Sequence, residues 1–278
     1  MFLQAGIAVG VLAAGHVLTS LDADTPDGSM EHKGAPQSPK PGAGGPPPPP
    51  GHAAQAGGPD AYRLRPMAGE TSMSGPGASP RHADVAFELP THTREIALTF
   101  DDGPDPRYTP EVLRVLRRHR VQATFFVVGE CAVEFPDLLH TIAGEGHVVA
   151  NHSWTHPQLT KLAPGRVRSE LGRTSSLVED TLGAAPTLAR APYGDWDQDS
   201  LRICNKLGMS PVGWSVDSQD WTCPGAERIA STIMDETAPG AIVLSHDGGG
   251  ARTQTVEALE WYLPRLLDRG YTPVRIQY

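Results

Sequence analysis

From residue 95 to the end, short apolar runs alternate with amphipathic stretches of helical period. The runs 95–100 (EIALTF), 123–128 (ATFFVV), 147–150, 187–189, 211–216, 241–245 (AIVLS) and 272–276 read as strands. The stretches 136–144, 165–183, 199–207, 226–236 and 253–269 read as helices. A further helix starts near Thr109, a candidate cap, with Pro110 in its first turn and Val112, Leu113, Val115 and Leu116 on one face. About seven strands alternating with six helices predict a parallel sheet, open or closed into a barrel, because a parallel neighbour needs a crossover. Ligands then bind beyond the carboxyl ends of the strands. No Gly-x-Gly-x-x-Gly or phosphate-loop motif is present, so no nucleotide is expected.

The first 83 residues are of another kind. They hold 14 Gly and 13 Pro but only two of the 17 aromatic residues, so they lack the side chains that build a core. Residues 2–18 are apolar apart from Gln4 and His16, and 1–20 reads as a signal peptide or a membrane anchor. Residues 21–83, with five consecutive prolines at 46–50, read as a disordered, semi-rigid Gly/Pro-rich linker. The expected organisation is therefore this head followed by one catalytic domain over 84–278, secreted or held at the cell surface or wall. The formal charge of −9 argues against a nucleic-acid binder, since phosphate contacts need clustered Lys and Arg.

Polar clusters follow five of the strands. They are Thr99-Phe100-Asp101-Asp102-Gly103-Pro104, Asn151-His152-Ser153-Trp154-Thr155-His156, Arg190-Ala191-Pro192-Tyr193-Gly194, Asp217-Ser218-Gln219-Asp220-Trp221 and Leu244-Ser245-His246-Asp247-Gly248. One such cluster is ordinary loop polarity, but five on one rim point to a site. His152 and His156, four apart, suit a metal pair that one carboxylate would complete, leaving open positions for water and substrate. Two unrelated surface histidines fit the spacing as well. Adjacent Asp101 and Asp102 point to different sides of an extended backbone, so one can bind a metal while the other stays free as a base. The same Asp-Asp-Gly-Pro also reads as a plain turn.

Taken together and in order, the five clusters resemble the polysaccharide deacetylases of carbohydrate esterase family 4, the NodB homology domain, over about 92–278. The resemblance implies a distorted (β/α) barrel and a divalent metal, most often zinc, on Asp102, His152 and His156. By donor type, cobalt or nickel would also suit these ligands. It implies Asp101 as general base toward the attacking water, with Arg190 holding it ionised. His246 would be the general acid, oriented and kept protonated by Asp220. The backbone N–H of Tyr193 would serve the oxyanion, and Pro192, Trp221 and Leu244 would line the substrate groove. The reaction implied is removal of N-acetyl groups from GlcNAc-containing polymer, peptidoglycan or chitin-like, by a chain taken as a monomer. An O-acetyl xylan esterase on the same fold, a silent carbohydrate-binding module and a structural zinc domain are the competing readings. Intact acid and base argue against the binding module, and a structural zinc would need more protein ligands.

The remaining features read more simply. Trp154 reads as packing, Asp105 as a turn residue, Asp217 as a cap or orienting group, and the 247–250 stretch (DGGG) as a turn. His119, His140 and His147 read as surface or packing residues. Cys131, Cys204 and Cys223 fit no zinc spacing, and Cys204–Cys223 is the expected disulfide, because it would pin the segment after Trp221.

Overall fold

A computed structural model of the chain describes residues 84–277; the signal-or-anchor and linker readings of 1–83 lie outside the described residues. The elements, in order, are β1 (Glu95–Asp101), α1 (Thr109–His119), β2 (Thr124–Val127), α2 (Gly129–Glu134), α3 (Pro136–Gly144) and β3 (Val148–Asn151). There follow α4 (Pro164–Leu182), β4 (Leu188–Ala189), α5 (Gln198–Lys206), β5 (Ser210–Pro211), β6 (Val216–Asp217), α6 (Ala226–Glu236), β7 (Ile242–His246), α7 (Thr253–Asp268) and β8 (Thr272–Pro273).

The described residues form an eight-stranded sheet in the order β5-β4-β3-β2-β1-β7-β6, with β8 added to the start of β1. Every pairing of these strands is parallel, so the fold is the expected distorted (β/α) barrel. The ring is incomplete between β5 and β6, which do not pair. The preceding segment spans that gap: Ala86 bridges Val212, and Glu88 bridges Ala241.

The strands are apolar throughout because both faces are covered. Val112, Leu113, Val115 and Leu116 of α1 and Leu259, Tyr262, Leu263 and Leu266 of α7 pack on one side of the sheet with Ile96, Leu98 and Phe100. Phe126, Ala150, Leu188 and Ile242 fill the other side. Helix ends follow local chemistry. Asp197 and Ser200 form a reciprocal capping box at α5, and α4 stops where Gly183 turns left-handed at φ 79°.

Four local expectations need correction. The run 211–216 is two strands, because the chain leaves β4 after Pro211 and crosses to pair with β7 from Val216. Helix α2 was not expected; at six residues it is too short to show a helical period. Thr109 is not the cap of α1, since Tyr108 takes that position without a side-chain bond. The Thr109 hydroxyl instead bonds Asp247 and the Asp105 N–H. Finally, among the described residues the cysteines are free thiols. Cys204 is buried on the core face of α5, donating to the Met209 carbonyl at 3.3 Å, with its thiol pushed up to about 12 by burial. Cys223 is exposed on the rim, so the two are not a pair.

Candidate active site

The five clusters meet at the carboxyl ends of the strands, as parallel topology requires. β1 and β7 lie side by side in a register that pairs Asp101 with His246. The two groups expected as base and acid are therefore neighbours across one ladder.

Asp101 is 3 % exposed and held from below by Arg190, itself fully buried. The Arg190 guanidinium donates to Asp101 Oδ1 at 2.7 Å, to Thr99 Oγ1 at 2.9 Å and to the Gly213 carbonyl at 2.7 Å. Its flat face lies 4.1 Å over the Phe126 ring. A buried charge is tolerable only with partners of this quality.

Asp102 departs from Asp101 through a left-handed backbone, φ 72°, which turns its carboxyl away from its neighbour's. Its Oδ1 lies 3.2 Å from His156 Nε2 and 3.4 Å from His152 Nε2. His152 Nδ1 sits 2.8 Å from the Arg190 carbonyl. A carbonyl only accepts, so Nδ1 carries a proton and Nε2 is the atom that faces Asp102. Two imidazole nitrogens and a carboxylate oxygen converge within 4.8 Å, and buried Asp102 Oδ1 has no hydrogen-bond donor of its own. Such a set is matched to a divalent cation of borderline softness, and the residues present fit one. Burial opposes charge at Asp102, but the His152 and His156 imidazoles beside it outweigh that and hold its carboxyl well below the usual range.

His246 is fixed by Asp220. The imidazole Nδ1–H donates to Asp220 Oδ1 at 2.6 Å, and the His246 main-chain N–H and the Thr255 hydroxyl donate to Oδ2 at 2.9 and 2.7 Å. Burial alone would depress the imidazole, but the Asp220 charge raises it to about 9. Asp217 accepts the Gln219 N–H at 2.9 Å and so shapes the turn that delivers Asp220. Burial raises its carboxyl.

The substrate side is more open. Leu244 and Pro192 are buried in the floor and wall, whereas Tyr193 is 50 % and Trp221 42 % exposed. The Tyr193 ring meets His156 edge-on with centroids 4.9 Å apart. Tyr193, Asp102, Ser153 and His156 all have positive φ without being glycine. Each costs about 1–3 kcal/mol, and such strain gathers where a site needs it. All eleven residues singled out from the sequence thus lie on this rim or directly beneath it.

Sequence reasoning missed the corner behind Asp102. Asp247 is buried, and burial pushes its carboxyl up to about 7. It accepts the Thr109 hydroxyl at 2.5 Å, and its main-chain N–H donates to the Asp101 carbonyl at 3.1 Å. The two glycines after it press on Asp102. A Cβ at Gly248 would lie 2.2 Å from the Asp102 carbonyl oxygen, and one at Gly249 2.5 Å from Oδ2. The stretch read as a turn therefore also packs against Asp102; an acid followed by three glycines was its only visible trace. Trp154 is a packing residue, with Arg173 stacked 3.9 Å over its ring. His147 is buried and accepts the Ala123 N–H at 3.0 Å.

A carboxylate and an imidazole flanking a cluster of cation-seeking ligands at the rim of a parallel barrel define a class: this is a hydrolase. The comparisons make it particular. The family model for polysaccharide deacetylase matches residues 88–212. A chitooligosaccharide deacetylase of Bradyrhizobium sp. is 45 % identical over 191 residues, covering 64 % of this chain and 87 % of the relative. A peptidoglycan-N-acetylglucosamine deacetylase of Bacillus cereus is 38 % identical, covering 66 % and 68 %. The crystal structure of a peptidoglycan N-acetylglucosamine deacetylase superimposes with TM-score 0.68 at 37 % identity over 70 % of this chain and 91 % of that one. The chain belongs to the polysaccharide deacetylase family, carbohydrate esterase family 4. That family also includes a pseudoenzyme from Bacillus anthracis, 28 % identical with TM-score 0.64 over 68 % of this chain and 66 % of that one. Fold alone therefore does not carry activity, and the site must.

Proposed function

We propose that the chain removes N-acetyl groups from GlcNAc-containing polysaccharide, using a divalent cation held by Asp102, His152 and His156. The observation that supports this most is the in-register pairing of Asp101 with His246 beside that ligand set. The cation, zinc being best suited and cobalt or nickel next, would supply a lowered water pKa and polarisation of the acetamide carbonyl. The protein's own groups do the rest. Asp101, held by Arg190, takes the proton of the attacking water. The Tyr193 N–H faces the carbonyl oxygen as negative charge develops there, a donor worth about 3–4 kcal/mol in such a place. His246 gives its proton to the departing amine, and Asp220 holds the imidazole charged and aimed until then. Acetate and a free glucosamine amine result. Trp221 and Tyr193 offer flat faces to sugar rings, and Leu244 seats the acetyl methyl.

Names of the relatives supply two substrates, chitooligosaccharide and peptidoglycan. The apolar residues 2–18 and the Gly/Pro-rich stretch after them support an exported or surface-held enzyme. Acetate release from chitopentaose, peptidoglycan and acetylated xylan, with and without chelator, tests the proposal. Release from a GlcNAc polymer, abolished by chelator, is the expected result. No acetate from any of the three would overturn it.

A further inference from the structure

The loop between the two histidines is neither helix nor strand, yet every N–H from Ser153 to His156 has a defined partner. The Ser153 carbonyl accepts from the Gly129 N–H at 3.0 Å and the Thr174 hydroxyl at 2.8 Å, and the Trp154 carbonyl accepts from the Glu130 N–H at 3.1 Å. The Ser153 N–H donates to Asn151 Oδ1 at 2.8 Å, and the His156 N–H to Ser153 Oγ at 3.2 Å. The two remaining donors, the N–H groups of Trp154 and Thr155, converge on a single oxygen, Glu170 Oε2, at 3.0 and 2.8 Å. The Thr155 hydroxyl adds a bond at 3.2 Å.

Glu170 projects from α4, one turn before Thr174, and is 4 % exposed. Among the described residues no ion pair neutralises it. A buried carboxylate without a counter-charge is a costly way to pack a helix. Here its acceptor capacity is directed at the loop that carries His152 and His156.

We propose that Glu170 is a positioning residue for the cation site. It fixes the 152–156 loop, with its left-handed Ser153 and His156, so that both Nε2 atoms face Asp102. It touches neither substrate nor cation; it sets how tightly the cation is held. This rests on the reading of Asp102, His152 and His156 as ligands.

A glutamine at 170 keeps the shape and one acceptor oxygen for the two N–H groups but removes the negative charge that strengthens both bonds. The test uses the full chain, stripped of metal, as wild type, Glu170→Gln and Thr174→Val. Zinc affinity is read by competition with a chromophoric chelator, thermal midpoint on the stripped protein, and acetate release at saturating zinc. Glu170→Gln should weaken zinc binding ~10-fold, the low end of the effect of changing an outer-shell group, because one acceptor for the loop remains. Turnover at saturating zinc should recover toward the wild-type value, and the stripped midpoint should change little. Thr174→Val should weaken zinc in the same direction, by less. Unchanged zinc affinity with a lowered stripped midpoint would make Glu170 a packing residue and overturn the proposal. If Glu170→Gln fails to fold, unchanged affinity in Thr174→Val overturns it instead. A wild-type chain that takes up no zinc overturns the ligand reading, and with it this inference.

Discussion

The two sides of the barrel differ in build. β7, β1, β2 and β3 are continuous ladders of four to seven residues, whereas β4, β5 and β6 have two residues each. The regular side ends in Asp101, Asp102, His246 and the loop of His152 and His156. The irregular side supplies Tyr193 and Trp221, the exposed aromatic faces. Groups assigned to the chemistry thus stand on or just after the continuous strands, and the aromatic faces assigned to sugar contact stand on the side of the short ones. Two residues cross this division. Arg190, after β4, and Asp220, after β6, come from the irregular side yet are buried, and each is bonded to a partner on the regular side, Asp101 and His246. Position in the ladder matters less than what a side chain is anchored to.

Substitutions should sort along that line. Asp102→Asn removes a ligand from the regular side and should take acetate release to background while the fold persists by circular dichroism. Asp220→Asn acts from the irregular side but on the acid, so it should lower kcat by about 10²–10⁴-fold, the usual worth of general acid–base catalysis. It should also move the pH profile. His246 must be protonated to act, and Asp220 raises its pKa to about 9, so activity is present below that value and lost as pH rises through it. Without the Asp220 charge the alkaline limb should shift to lower pH; a limb that stays in place would separate the two residues. Trp221→Ala should raise KM about two- to tenfold with kcat nearly kept, from an aromatic contact worth about 0.5–1.5 kcal/mol. A loss confined to kcat would move Trp221 to the chemical side of the division. At the far end, Arg114→Gln breaks exposed ion pairs with Glu111 and Glu260 and should change stability by less than about 0.5 kcal/mol and activity not at all.

The regular side was also the legible one. β1 and α3 fall where the apolar runs and Pro136 placed them, because both-face burial leaves an uninterrupted apolar text. Over 211–216 the text was equally apolar but the structure splits it, since the chain changes neighbours there and a residue's neighbour is not written in its own segment. The site shows the same limit. Strand-end clusters stood out because polar residues followed apolar ones abruptly. The roles of Asp247, though it sits in one of those clusters, and of Glu170 did not, for each acts through a residue outside its own segment: Thr109 lies 138 residues from Asp247, and Thr155 15 from Glu170.

The central claim is that one carboxylate holds the cation while its chain neighbour takes the proton. Asp101→Asn separates the two. The variant, loaded with zinc and assayed for acetate release from chitopentaose beside the wild type, should bind one zinc per chain with nearly wild-type affinity and lose about 10²–10⁴-fold in kcat. Hydrolysis at the wild-type rate, or loss of zinc together with activity, would contradict that division of labour.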